Sequence, residues 1–160
     1  MFHIDYSLIF ANFPPELATF LIAIIPISEL RAAIPIGIKI YHLSIWSAYF
    51  WSVLGNLLPM ILILLILQPV ADFLSRHFKI FHKFFEWLFE HTHKRGAKKF
   101  EKWGEVAVFI LTATPIPLLG GWTGPLAAFV FDVKLKKSIP LVIFGCMTAG
   151  VIVTALTLWL

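Results

Sequence analysis

Charge is scarce in this chain of 160 residues: Asp, Glu, Lys and Arg together make 14% of it, against roughly 25% in ordinary globular proteins. A water-soluble fold of this size has to cover most of its surface with polar side chains, and so few charges cannot do that. Cysteine is nearly absent as well. Cys146 stands alone in an apolar run, so no intrachain disulfide forms and no redox compartment can be read from it. The first fifteen residues hold no Lys or Arg, so the basic start of a cleavable signal peptide is missing, and Ile4–Phe13 is expected as a short interfacial segment. These scarcities exclude a soluble globule, a disordered chain and a nucleic-acid binder.

What is abundant is apolar surface: 59% of the residues are hydrophobic and the mean hydropathy is +0.87. The composition is that of an integral membrane protein. A spanning helix needs about 20 apolar residues. Leu43–Val70 is free of charge and supplies one span, with Pro59 expected to kink it; Ser138–Leu160 supplies a second. Gly145 and Ala149 form a small-xxx-small pair suited to close helix contact, and Gly55 and Asn56 lie in the middle of the first span.

The other two apolar regions are broken. Leu17–Ser28 ends at Glu29 and Arg31, and Thr114–Pro125 contains Pro115, Pro117, Gly120, Gly121, Gly124 and Pro125. No continuous helix survives such a density of breakers. Each region reads as helix, tip, helix: a re-entrant hairpin, with Pro26 and Pro35 shaping the first tip and Pro115, Pro117, Gly124 and Pro125 the second. Eleven of the thirteen Lys and Arg fall in Arg76–Lys102 and Lys134–Lys137. The positive-inside rule wants both stretches cytoplasmic, which two hairpins allow and four straight spans do not.

A repeat agrees with that layout. Pro26-Ile27 matches Pro115-Ile116 at an offset of 89, and Pro35, Leu43 and Gly55 match Pro125, Val133 and Gly145 at 90. The expected fold class is an all-α integral membrane protein of two inverted-topology repeats in a single domain, 1–160. Each repeat is a re-entrant helical hairpin plus one transmembrane helix (14–41 with 43–70, then 105–132 with 138–160). A cytoplasmic amphipathic helix over 72–104 joins them, because Leu74, Phe78, Phe81, Phe85 and Leu88 fall on one face and Arg76, Lys79 and Lys83 on another. His77, His82, His91 and His93 lie on that basic stretch without a defined ligand set, so no metal and no cofactor are expected.

Glu29 and Arg31 are the informative pair. An ionised group at the bilayer centre costs roughly 2.5–3.5 kcal/mol, and neither sits in a run of charges that would mark a membrane edge. Two residues apart on a helix they point away from one another, so their partners should come from elsewhere. They make either a transport site or a fixed ion pair that clamps the hairpins. Opposite Arg31, the amides of Gly120, Gly121 and Trp122, followed by Thr123 and a half-helix near Gly124-Pro125, offer either an anion cradle or a tight packing turn. Glu29 is the candidate for proton exchange, and Asn56 for an interhelical hydrogen bond.

Ser28-Glu29-Leu30-Arg31-Ala32-Ala33-Ile34-Pro35, followed by Pro115-Ile116-Pro117-Leu118-Leu119-Gly120-Gly121-Trp122-Thr123-Gly124, resembles the small multidrug export protein family of bacteria and archaea. That family looks like a compact relative of the DedA (VTT-domain) superfamily. The resemblance implies two facing re-entrant hairpins, with Glu29 and Arg31 important for activity. Through the DedA relatives it implies proton-linked translocation of lipid phosphates. Family members commonly have Gly where this chain has Ala32, and Gly-Thr at Leu118-Leu119. The arginine of the second DedA hairpin is missing from Thr112–Gly124.

The leading expectation is a proton-coupled translocase of an anionic lipid-phosphate headgroup, in the cytoplasmic membrane of a prokaryote. Efflux of cationic lipophilic drugs with Glu29 as counter-ion is the alternative within transport, and a non-transporting scaffold the alternative outside it. An enzyme is not expected, since no nucleophile–base pair or metal constellation is visible. Partners should be membrane lipids, protons, a small-molecule or lipid-phosphate substrate, and a second copy in a homodimer or larger homo-oligomer, with no nucleic acid.

Overall fold

The computed structural model describes residues 12–78, 83, 97–116 and 121–160. Among them lie six helices and no strand: α1 (Pro15–Ile24), α2 (Glu29–Lys39), α3 (Ile45–His77), α4 (Ala97–Ala113), α5 (Thr123–Val130) and α6 (Leu135–Trp159). α1 begins with Pro15 at its first position and Glu16 in its first turn, both suited to a helix start. It stops at Ile24 because Ile25 precedes Pro26 and is held extended. The Ser44 side chain caps α3 by accepting from the Ser47 N–H at 3.2 Å, and Arg76 and His77 lie in its last turn.

Length sorts these helices. At 1.5 Å per residue the 33 residues of α3 reach about 50 Å and the 25 of α6 about 37 Å, and both are long and apolar enough to cross a hydrocarbon core of about 30 Å. The 10 residues of α1 and 11 of α2 reach only about 15 Å each. The apolar part of α4, Trp103–Ala113, and the 8 residues of α5 are equally short.

α3 and α6 cross at the centre, α1 packs on α3, and α4 packs on α6. α2 touches α1, α3 and α6, while α5 touches α4, α3 and α6. The core between them is built from Leu30, Ile34, Val53, Met60, Leu64, Val108, Val142, Cys146 and Val153. Outward, Trp46, Phe50, Leu54, Leu58, Leu62 and Ile66 form an exposed stripe at every fourth residue of α3, an apolar face that lipid would cover.

Contacts recur along the chain at the two offsets seen in the sequence. A Cβ on Gly55 would run into the Phe20 carbonyl and lie 2.9 Å from Ala23 Cβ. On Gly145 it would lie 3.1 Å from the Phe109 carbonyl and 2.7 Å from Thr112 Cβ. Glycine is required at both because helix backbones meet there. Phe20 and Ala23 stand 89 residues before Phe109 and Thr112, and Gly55 stands 90 before Gly145. His42 and Asp132, also 90 apart, both have positive φ, 54° and 52°, just ahead of the starts of α3 and α6. Asn56 and Cys146, again 90 apart, touch one another at 3.8 Å.

Several boundaries differ from the sequence reading. The first span does not stop at 70: α3 continues to His77, so residues 72–77 extend the long helix instead of starting a surface helix. Pro69 does not end it, because a proline removes one hydrogen bond and a helix held on one side by its neighbours can continue past it. Residues 97–104 likewise belong to α4, and the second span starts at Leu135 rather than 138. The rest of the amphipathic segment, 79–82 and 84–96, lies outside the described residues, as does most of Ile4–Phe13.

Candidate functional site

The site starts at the turn between α1 and α2. Ile25 accepts from the N–H groups of Ser28 (3.1 Å) and Glu29 (3.0 Å), which folds the chain back on itself. Glu29 then takes a φ of 48°, a left-handed conformation that costs an L-residue about 1–2 kcal/mol. That strain has a structural result. Glu29 leaves the helical spacing, and its carboxylate Oε2 comes within 3.5 Å of Arg31 Nη2. The expectation that these residues point apart assumed helical φ at both and is corrected here: they pair with one another.

The Glu29 carboxylate also accepts from the backbone N–H of Gly121, in the turn ahead of α5. One side chain thus ties the first tip to the second. In this arrangement the anion facing the Gly121 amide is the protein's own carboxylate. Met60 packs over Gly121: a Cβ at 121 would displace the flexible Met60 Cε and lie 3.3 Å from Asn56 Nδ2.

Glu29, Arg31, Asn56, Thr112, Thr114 and Gly121 surround a cavity of about 10 Å³, room for about one water molecule. Asn56 is 1% exposed; its Nδ2 donates to Cys146 Sγ, whose own thiol donates to the Val53 carbonyl at 3.9 Å. Asn56 Oδ1, Arg31 Nε and the Trp122 ring N–H are buried without a hydrogen-bond partner among the described residues. The interior is therefore polar and under-satisfied, which is costly unless something enters it.

A groove of about 270 Å³ leads away from Arg31. One wall is the α2 stripe Arg31, Pro35 and Lys39, at every fourth residue; the other is the end of α6, with Leu156, Thr157 and Leu160. It combines two cations with an apolar wall.

The remaining predicted residues fall as follows. Pro26 lies in the first tip and is exposed, and Pro115 lines both cavities. Pro35 is not at the tip: it sits inside α2, where it has no N–H to give the Arg31 carbonyl. Gly124 and Pro125 are buried in the first turn of α5, where a missing N–H costs nothing, and Gly124 lies against Thr112 Oγ1. Thr123 opens that helix and is half-buried. Ala149 packs under the central cavity. Gly120 and Pro117 lie outside the described residues. Sequence reasoning missed Lys39, Thr112 and Cys146. Lys39 was legible, two helical turns after Arg31 on the same face; Thr112 and Cys146 join only through tertiary contact. Among the described residues no group of three or more His, Cys, Asp or Glu could hold a metal ion.

Two long apolar helices, short broken helices against them and a largely enclosed Glu–Arg–Asn site define the class: a helical membrane protein with an acid–base pair between its helices. The family model described as "Putative small multi-drug export protein" matches residues 29–152, and the chain belongs to this family. The matched stretch starts at Glu29 and holds every residue that lines the central cavity, while the α6 wall of the groove, Leu156, Thr157 and Leu160, lies beyond it. The family's description is one of export, a transporter's role. No curated protein and no solved structure matches the chain.

Proposed function

We propose that the chain is a proton-coupled membrane transporter whose substrate carries an anionic headgroup, of lipid-phosphate type, on an apolar body. The observation that carries this reading is the groove beside Arg31, which pairs the Arg31–Lys39 cationic stripe with the apolar end of α6. A charged head between the two cations and a tail along Leu156 and Leu160 would satisfy both walls. Glu29 competes for the same guanidinium. Protonating Glu29 releases Arg31 to the substrate and loosens the Gly121 contact, so proton uptake and substrate binding favour the same rearrangement.

The proposed architecture is two inverted repeats, each a re-entrant hairpin and a span, in the cytoplasmic membrane of a prokaryote, with residues 76–102 and 134–137 on the cytoplasmic side. Helices of about 15 Å support re-entrance, because they are half the length a span requires. The recurrence of glycine contacts and positive-φ turns at 89–90 residues supports the repeat. Contact between Asn56 and its counterpart Cys146 is what a local two-fold axis running between them would give. Two spans enclose little, and we propose that copies associate as a homodimer or larger. No covalent step on the substrate is involved.

A second reading, efflux of cationic lipophiles with Glu29 as counter-ion, is favoured by the family's description. Uptake of a fluorescent dodecyl phosphate into vesicles holding the purified protein, with and without a pH gradient, separates the two. Uptake that follows the gradient and is lost in Arg31→Gln is the expected result. Movement of tetraphenylphosphonium instead, unaffected by Arg31→Gln and lost in Glu29→Gln, overturns the anionic reading.

A further inference from the structure

We infer that the chain has two repeat-related substrate grooves, opening on opposite faces of the membrane, and that the second is the cleft between α3 and α5 beside Asp132 and Lys134. This rests on the transport reading above and on its inverted repeats. The cleft measures about 200 Å³ and is lined by Leu67, Gln68, Pro125, Phe129, Asp132 and Lys134, among others. Three of these stand 90 residues from residues that line the Arg31 groove: Pro125 from Pro35, Phe129 from Lys39, and Leu67 from Thr157. Each groove therefore lies between the second arm of one hairpin and the C-terminal part of the span from the other repeat.

The central cavity lies between the two. Arg31 and Pro115 line both that cavity and the first groove. Gly121, bonded to Glu29, lies one helical turn ahead of Pro125 in the second. The Glu29–Gly121 contact joins the inner ends of both routes, so breaking it toward one arm or the other opens one route at a time. In an inverted repeat, equivalent grooves face opposite sides, which is the geometry alternating access requires.

The grooves are equivalent in position and unequal in chemistry. Where the first has Arg31 and Lys39, the second repeat has Gly121 and Phe129. The second groove's charges come from the loop instead, one of each sign, Asp132 and Lys134. An anionic headgroup is thus held tightly on the Lys39 side and weakly on the Lys134 side, which gives the transport cycle a built-in polarity.

Cysteine labelling in sealed vesicles tests this. Leu160→Cys and Gln68→Cys place a thiol in each groove at an exposed position outside the charged machinery, and the parent chain is the blank because Cys146 is fully buried. A membrane-impermeant charged maleimide should label the first from one face only and the second from the other only. Dodecyl phosphate should slow labelling at both, at roughly fivefold lower concentration for Leu160→Cys, the worth of about one additional cation near the membrane. Labelling of both from the same face, or no labelling at Gln68→Cys, overturns the two grooves. Opposite-face labelling that dodecyl phosphate does not slow supports the grooves and overturns the anionic-substrate reading instead.

Discussion

Replacing Gly55 by alanine tests the packing on which the whole architecture rests. In α3 the substitution gains intrinsic helix stability, about 1 kcal/mol in water. Against this, the new Cβ runs into the Phe20 carbonyl and comes 2.9 Å from Ala23 Cβ. The carbonyl belongs to a helix backbone and cannot rotate aside, so α1 has to move away from α3. A gap of 0.5–1 Å forfeits roughly a quarter to a half of each dispersion contact along the seam, and overpacking of this kind costs about 1–3 kcal/mol. Lipid tails are as apolar as the helices, so little else holds α1 in place. A clash with a fixed backbone oxygen belongs in the upper part of that range, about 2–3 kcal/mol, so Gly55→Ala should be less stable by about 1–2 kcal/mol once the propensity gain is set against it. Gly37→Ala is the control: its nearest neighbours are Ala48 Cβ at 3.1 Å and the Thr19 side chain at 3.2 Å, which can shift. Unfolding of the purified protein in mixed micelles, followed by circular dichroism against added SDS, measures both. A Gly55→Ala protein as stable as its parent, or one less affected than Gly37→Ala, would refute the close approach of α1 to α3.

Three further outcomes follow from the same geometry. Glu29→Gln keeps an acceptor for the Gly121 N–H but leaves Arg31 without its counter-charge. Because the Arg31 side chain is 21% exposed, the loss of stability should stay below the roughly 3–5 kcal/mol of a wholly buried broken pair. Its melting temperature should fall modestly while proton-driven uptake disappears; a collapse of folding would favour a structural clamp. Asn56→Leu removes a long contact to sulfur and an unpartnered Oδ1, so melting should be close to the parent's while uptake slows through the loss of a polar wall in the central cavity. Lys137→Ala breaks the 2.7 Å bridge to Glu105, whose side chains are 48% and 30% exposed, and should cost less than about 1 kcal/mol, an effect that shrinks with added salt.

The breaks between the short helices were legible because proline and glycine act locally. Pro26 stops α1 through the residue before it, and Pro125 opens α5 in its first turn, whatever surrounds them. The same local logic failed at Pro35, expected to shape the tip but lying within α2, which continues past it. Pro59 lies within α3, as a span that tolerates proline allows. The helical-wheel argument failed at Glu29 for a related reason. A left-handed φ at a hairpin turn is stabilised by what the turn packs against, and no spacing rule anticipates it.

Composition and periodicity alone determined that the chain is rich in apolar helix, with two helices long and apolar enough to cross a membrane and two segments broken by proline and glycine. These follow from the solvent: lipid demands long apolar helices, and breakers stand out within them. Tertiary structure decided what the ionised pair does. Glu29 meets Arg31 and the Gly121 amide, Asn56 meets Cys146 ninety residues away, and Lys39 extends the Arg31 face into a groove closed by α6. Those contacts join residues far apart in the chain. They exist only once the two hairpins have packed against both spans, because a buried charge takes its partner from whatever the fold brings within reach.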